Sequence, residues 1–435
     1  MLRRRICRGR AGSSPEQGQA LVLFAIGLAG FLGLVAMSID VGNLLVQRRL
    51  QQNAADSAAL AAVGALLAGQ TQAAAIVEAQ NYASKHGYPG QVTVNIPPVS
   101  GPSAGDPNAV EVIIQRSLPK YFAQAVYSGP WDVSARAVAK MTTKQAGFGV
   151  VTLDPTRCDS LVLNSNALLT VQSGGVYVNS SCNGYAMIMN SNATATADTI
   201  SIVGNFQGAA NIHATPAPVT GQQPIPDPFA SIPTPPIVAA PVQTPASCSF
   251  NNGNHVFNPG YYGCRMTFGS NTTATFNPGN YTFLGGMQLD SNVTITFGRG
   301  IYVMKGGGFQ MNSNTTVNGP NGVLIYNTCN GPCGASGTFQ LNSNAALNIK
   351  PYGAQYANIS VWQDRVSNTP LQFNSNSITA QGAIYSKAAD IQYNSNATVP
   401  LQFVAANVQM NSNAKIQVDV GGLSTVPIRS MSLSE

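Results

Sequence analysis

The chain has 435 residues, room for two or three domains. Only 9% are charged, against about 25% in an average soluble protein, which excludes a nucleic-acid binder, a charged coiled coil and a charge-rich disordered chain. The formal charge of +6 is local: Arg3, Arg4, Arg5, Arg8 and Arg10 leave 17 of the 22 basic side chains to face 16 acidic ones over the rest of the chain.

Residues 1–19 therefore read as a basic cytoplasmic tail. The apolar run from Ala20 to Met37, with its shoulder to Val41, is long enough for the about 20 residues that cross a bilayer. A transmembrane helix is expected over 20–41, with the arginines inside and everything after Val41 outside. The competing reading is a cleaved signal peptide with Ala36-Met37-Ser38 as its cleavage site, but its apolar core would run only about 7–15 residues. Ala25, Ala29 and Gly33 recur every four residues, a spacing that lets another membrane helix approach closely. Asp40 lies at the outer edge of the span, where a solvated carboxylate is expected.

A membrane-proximal helix is expected over 42–88, strongest from Asn43 to Ala68, a stretch rich in Ala, Leu, Gln and Arg and free of proline. Leu50, Ala54, Ala58 and Ala61 make a smooth face, suited to close packing within the molecule or on a partner. Three stretches occur in fixed order: Glu16-Gln17-Gly18-Gln19-Ala20, Ile39-Asp40-Val41-Gly42, and Leu50-Gln51-Gln52-Asn53-Ala54-Ala55-Asp56-Ser57-Ala58-Ala59-Leu60-Ala61-Ala62. Together they resemble the N-terminal module of TadE/TadG-like Flp (tight adherence) pilus-assembly proteins. The resemblance implies a non-catalytic, membrane-anchored part of a bacterial pilus apparatus in the cytoplasmic (inner) membrane, meeting other pilus-assembly proteins through the N-terminal helix. Some relatives are processed like pilins after a glycine. Here Gly12 and Glu16 have an irregular spacing and Gly18 has no following glutamate, so cleavage is not assigned.

Residues 89–146 read as a small α/β region. Strands are expected at 91–96, at 110–115 and at 131–140, with a helix from Leu118 to Val126 that starts around Pro119. From Leu161 onward one pattern dominates. Asn-Ser-Asn begins at Asn164, Asn190, Asn312, Asn342, Asn374, Asn394 and Asn411, with Gly-Ser-Asn at 269 and Asp-Ser-Asn at 290. Most copies follow Gln and an apolar residue, as in Gln310-Met311 and Gln372-Phe373. A repeat of this length, rich in short strands and turns, predicts a mainly-β parallel β-helix (solenoid). Asn suits the left-handed corner, and stacked Asn amides can bond along the stack. A first β-helix segment is expected over 147–214 and the main one over 248–425, joined by a stiff linker at 215–247 that contains ten prolines. Phe257-Asn258-Pro259-Gly260 and Phe276-Asn277-Pro278-Gly279 are near copies of one turn. With Asp227-Pro228-Phe229 and Cys248, these turns also resemble the C-terminal region of some TadG-like proteins.

Cys7 falls in the tail, while Cys158, Cys182, Cys248, Cys264, Cys329 and Cys333 lie beyond the span. An even number in an exported region predicts disulfides, here the local pairs 158–182, 248–264 and 329–333 out of fifteen connectivities. Neither a metal nor another cofactor is expected, since His86, His213 and His255 are scattered. Polysaccharide cleavage requires clustered carboxylates, and the acids after residue 150 are spread thinly. The remaining alternative is a membrane-tethered adhesin binding surface glycans, with Tyr261, Tyr262, Tyr281, Tyr302, Tyr326, Tyr352, Trp362 and Tyr393 as stacking surfaces.

Overall fold

The computed structural model describes residues 16–125, 127–208, 213–332, 336–421 and 425–435. Contacts divide the chain into two units: residues 1–143 with 429–435, and residues 144–428. Among the described residues there are two α-helices, both in the first unit, and the rest is mainly β.

Helix α1 runs unbroken from Glu16 to Leu67, about 78 Å at 1.5 Å per residue. It stops at Gly69, whose φ of 77° only glycine adopts freely. The Gly69 N–H bonds Leu66 O and the Gln70 N–H bonds Ala65 O, the paired closure that ends many helices. Helix α2, Gln72–Lys85, starts at Thr71, whose hydroxyl accepts from the Ala74 N–H at 3.2 Å. Three antiparallel strands follow: β1 (Val92–Asn95), β2 (Ala109–Ser117) and β3 (Asp132–Thr152). The helix expected over Leu118–Val126 is a single 3-10 turn, Ala123–Ala125, with Val126 outside the described residues. The first unit's core joins Ala54, Ala55, Ala58, Ala59 and Ala62 of α1 to Ala75, Ala79 and Ala83 of α2 and to Val110, Val112 and Ile114 of β2. Alanine on both helices removes the side-chain bulk that would hold their backbones apart.

In the second unit most strands pair in parallel with the strand one repeat along the chain. One ladder runs through Gly260–Tyr262, Tyr281–Leu284, Gly300–Lys305 and onward to Leu401–Met410. A second holds the apolar–Gln–apolar triplets, such as Met287–Leu289, Phe309–Met311 and Phe339–Leu341. A third follows the Asn corners, from Gly253–Phe257 to Ala346–Pro351 and again from Thr398–Val399 onward. The apolar members of all three meet in one core.

The order of these ladders departs from the order of the chain. The strands nearest the start of the unit pair with those nearest its end. Val150–Thr152 lies in register with 403–405, Leu161–Leu163 with 408–410, and Leu168–Gln172 with Lys415–Asp419. The chain thus enters in the middle of the pairing order and proceeds past Thr199–Ile202 to one end at Val219, which bridges Ser201. It resumes at the other end, where Val242–Gln243 pairs with 261–262. The strands of 150–202 are therefore continuous with those of 401–419.

The proline-rich stretch bridges the two ends, lying on the first ladder rather than hanging free. Ile225 and Phe229 are buried against Tyr177, Trp362 and Tyr385. Asn179 bonds both backbone groups of Ile225, at 2.8 and 2.9 Å. Arg365 donates to Phe229 O and Ile232 O and stacks over Trp362. Further along, the Val238 N–H bonds the Thr282 hydroxyl. This strap explains why strands such as Gly175–Val178 and Ile359–Gln363 are buried on both faces. The triplet strands of the second ladder bury only alternate residues.

Candidate functional site

The apolar part of α1 is the first candidate. The window that begins at Ala20 has a mean hydropathy of 2.5 and is wholly unburied within the molecule. It is the one helix among the described residues long and apolar enough to cross a membrane. Leu21, Phe24, Ile26 and Phe31 are all more than 60% exposed. Such a face has no stable place in water. Ala25, Ala29 and Gly33 are exposed as well, and a Cβ built on Gly33 would meet nothing within 4 Å. Within the molecule Ala25 and Ala29 are uncovered, and Gly33 lies at the rim of a groove beside the 3-10 turn.

Ala54 and Ala58, expected to serve a partner in the same way, are fully buried against α2 and the sheet. Their packing is spent inside the first unit, because α2 folds back onto the face that sequence alone leaves bare. Asp40 also differs from expectation. It is not solvated: only 3% of the residue is exposed, and its carboxylate accepts the backbone N–H groups of Tyr121, Phe122 and Ala123 at 3.1, 2.9 and 2.5 Å. Those donors open the 3-10 turn at Ala123, so Asp40 caps an element eighty residues away. No local pattern announces such a bond, which is why the sequence misses it.

A second buried acid, Glu111 on the central strand β2, ties the sheet to residues 99 and 100. Burial by itself would raise its pKa. Hydrogen bonds from Ser100, Asn95, Arg136 and the Val99 N–H outweigh that and hold it at about 2. Arg136 also pairs with Glu435 at 2.5 Å, and that bond lowers the Glu435 carboxyl. The chain's last residue is thereby tied into the first unit. On α1, Gln51 is fully buried with neither amide atom paired. Its neighbour Gln52 donates to Asp56 and to Arg136 O.

The asparagine triplets form columns in the second unit. Asn394 donates to Asn374 at 2.6 Å, Asn411 to Asn394 at 2.7 Å, Asn164 to Asn411 at 2.7 Å and Asn190 to Asn164 at 2.7 Å. The column crosses from the last repeats to the first without a break. Asn342 donates to Asn312, and Asn312 to Asp290. The left-handed corner residue is the second Asn at 314 and 344 but the Ser at 165, 191 and 412. At 375 and 395 the Ser is buried instead, its hydroxyl accepting a backbone N–H two residues on.

Disulfides join Cys158 to Cys182 and Cys248 to Cys264. Cys329 is disulfide-bonded, and Cys333 lies outside the described residues, as does Cys7. Of the aromatic residues weighed as sugar platforms, Tyr262, Tyr281, Tyr302, Tyr326, Trp362 and Tyr393 are buried. The first three stack in a column whose hydroxyls donate to the carbonyl four residues back. Burial pushes the Tyr262 hydroxyl up to about 12. These rings are core residues, and only Tyr261 and Tyr352 of that set retain partial exposure. The dispersed acids have structural partners: Asp227 with Tyr385, Asp364 with Tyr326 and Thr328, Asp390 with Arg157 and Asn407. Among the described residues no three His, Cys, Asp or Glu side chains converge as a metal site would require.

An exposed apolar helix continuing into an alanine-packed helical module is the layout of a membrane-anchored protein. Residues 18–79 match the Tad family model, "Putative Flp pilus-assembly TadE/G-like"; the match covers all of the apolar run and most of both helices. Neither the curated proteins nor the solved structures contain a match to the chain.

Proposed function

We propose that the chain is a non-catalytic, single-pass component of a bacterial Tad/Flp pilus-assembly apparatus. Its arginine-rich tail stays in the cytoplasm, and α1 crosses the inner membrane. The second unit lies outside, with its three ladders wound as a parallel β-helix. One observation carries this reading: the Tad match at 18–79 coincides with the wholly exposed apolar helix and the module that buries its continuation.

In this arrangement Ala25, Ala29 and Gly33 meet helices of other pilus-assembly proteins. The β-helix reading rests on the ladder order and the asparagine columns. Eleven strands follow one another in the first ladder among the described residues. At about 4.8 Å per step they would span roughly 50 Å. A charge-poor body of that kind acts by contact, as a spacer or a binding surface for other parts of the apparatus.

A clean gene deletion should abolish pili or surface attachment, and the full chain expressed in trans should restore them. Copurification from membranes should recover pilus-assembly proteins with the parent chain and lose them with Ala29→Leu and Gly33→Leu together. Normal piliation in the deletion strain, or recovery of the intact chain from the soluble fraction, overturns the proposal.

A further inference from the structure

Between the outer half of the apolar run and the 3-10 turn lies a groove of about 780 Å³, lined among others by Gly30, Gly33, Met37, Phe122 and Ala125. Gly30 precedes Asp40 by ten residues, about 15 Å along a helix. The turn therefore lies beside the span and not beyond its end. Tyr121, Phe122 and Tyr127 on the same segment are about half exposed, at 56%, 50% and 48%.

We propose that residues 118–125 and 127–131 form an interfacial membrane anchor, held beside α1 by Asp40, with lipid acyl chains filling the groove where no partner helix covers it. This rests on the reading of α1 as a membrane span. Backbone N–H groups left unpaired in the hydrocarbon region cost several kcal/mol each. Here the Asp40 carboxylate takes up three of them at once. The Ala125 N–H bonds Phe122 O and the Tyr127 N–H bonds Ala123 O. Lys120 donates through Nζ to Tyr127 O and Gly129 O, which satisfies two carbonyl acceptors. These bonds satisfy much of the turn's backbone while it presents aromatic rings, side chains enriched where acyl chains meet headgroups. Water gains nothing from exposing three large rings on one short loop, whereas the bilayer next to α1 accommodates them. The buried carboxylate then has a purpose: it fixes how deeply the first unit sits on the membrane.

Tryptophan fluorescence of the full chain in vesicles of phosphatidylcholine with brominated acyl chains tests this, read as the difference from the parent, whose own tryptophans are Trp131 and Trp362. Leu28→Trp reports the span, Phe122→Trp the turn, and Val77→Trp the exposed face of α2. The expected result is strong loss of emission at positions 28 and 122 and none at 77. Asp40→Ala should restore the emission of Phe122→Trp and leave that of Leu28→Trp quenched. Quenching at 28 without quenching at 122 overturns the anchor alone, whether position 122 emits as in water or as covered by a second chain. Absence of quenching at both positions instead overturns the membrane span itself.

Discussion

The two units solve the same burial problem with opposite materials. The first packs alanine against alanine and anchors its central strand through one buried acid, Glu111, served by four neighbours. The second fills its interior with Phe, Tyr, Met and Leu, and closes its corners with uncharged asparagines. Small side chains pack closely only if every position keeps to them, so the first unit concentrates its stability in few interactions. The ladders distribute theirs over many equivalent ones. Single substitutions should accordingly act more sharply in the first unit than in the second.

The largest expected effect is Glu111→Ala, which leaves Asn95, Ser100 and the Val99 N–H without their acceptor, while Arg136 keeps Glu435. Three donors left unmet at about 1–3 kcal/mol each bring the cost to about 4 kcal/mol. Hydrogen exchange of the full chain in micelles should show α2 and the strands β1 and β2 losing protection while Gly300–Lys305 keeps its own. Equal loss in both units would break the contrast. The same residue sets an acid response. Its folded pKa of about 2 lies below the ordinary value of 4.5. Its contribution is therefore complete above pH 4.5 and declines as pH falls through 4.5 toward 2, where the unfolded chain takes up the proton more readily. A pH titration of β2 protection should show that decline, and Glu111→Gln should flatten it.

Within the second unit, Phe229→Ala should release the strap at a cost of about 3 kcal/mol, the size expected for emptying a buried phenyl site. Proteolysis between 216 and 241 should accelerate. An unchanged cleavage rate would show that the strap is held by Arg365 and Asn179 without its ring. A smaller effect is expected for Asn411→Ala, which interrupts the column between Asn394 and Asn164, at about 1–2 kcal/mol. Asn413→Ala, on the exposed outer column, should cost less, and thermal melts of the two variants give the comparison. The smallest change is a gain. Gln51→Met removes two buried unpaired amide atoms and should stabilise the first unit by about 1 kcal/mol, measured by the same exchange experiment.

Much of this architecture is readable from residue order. The span announces itself because an eighteen-residue apolar run with its shoulder follows five arginines, and a bilayer dictates both features. The Ala54–Ala58 face is visible at helical spacing, though not its occupant, since α2 reaches it only after the chain reverses at Gly69. The helix expected at Leu118–Val126 shortens to the 3-10 turn at Ala123–Ala125 that Asp40 caps, and Gly129-Pro130 then leads the chain into β3. Aromatic rings that look like a sugar platform prove to be core, because neither alternation nor spacing tells an inward ring from one lying beneath a strap.

What the amino-acid order determined alone is the local unit: the apolar helix, the alanine face, the Gln-apolar-Asn-Ser-Asn rung and the turn after Asn-Pro-Gly. Tertiary structure decided which units became neighbours. Every rung offers nearly the same edge, so no rung encodes its partner. The pairing of 161–172 with 408–419 arises because both edges are open until they meet, and the strap spans the ends that this order separates. Asp40 likewise acquires its role only when residues 121–123 arrive with three unpaired donors, a coincidence in space that residue order does not express.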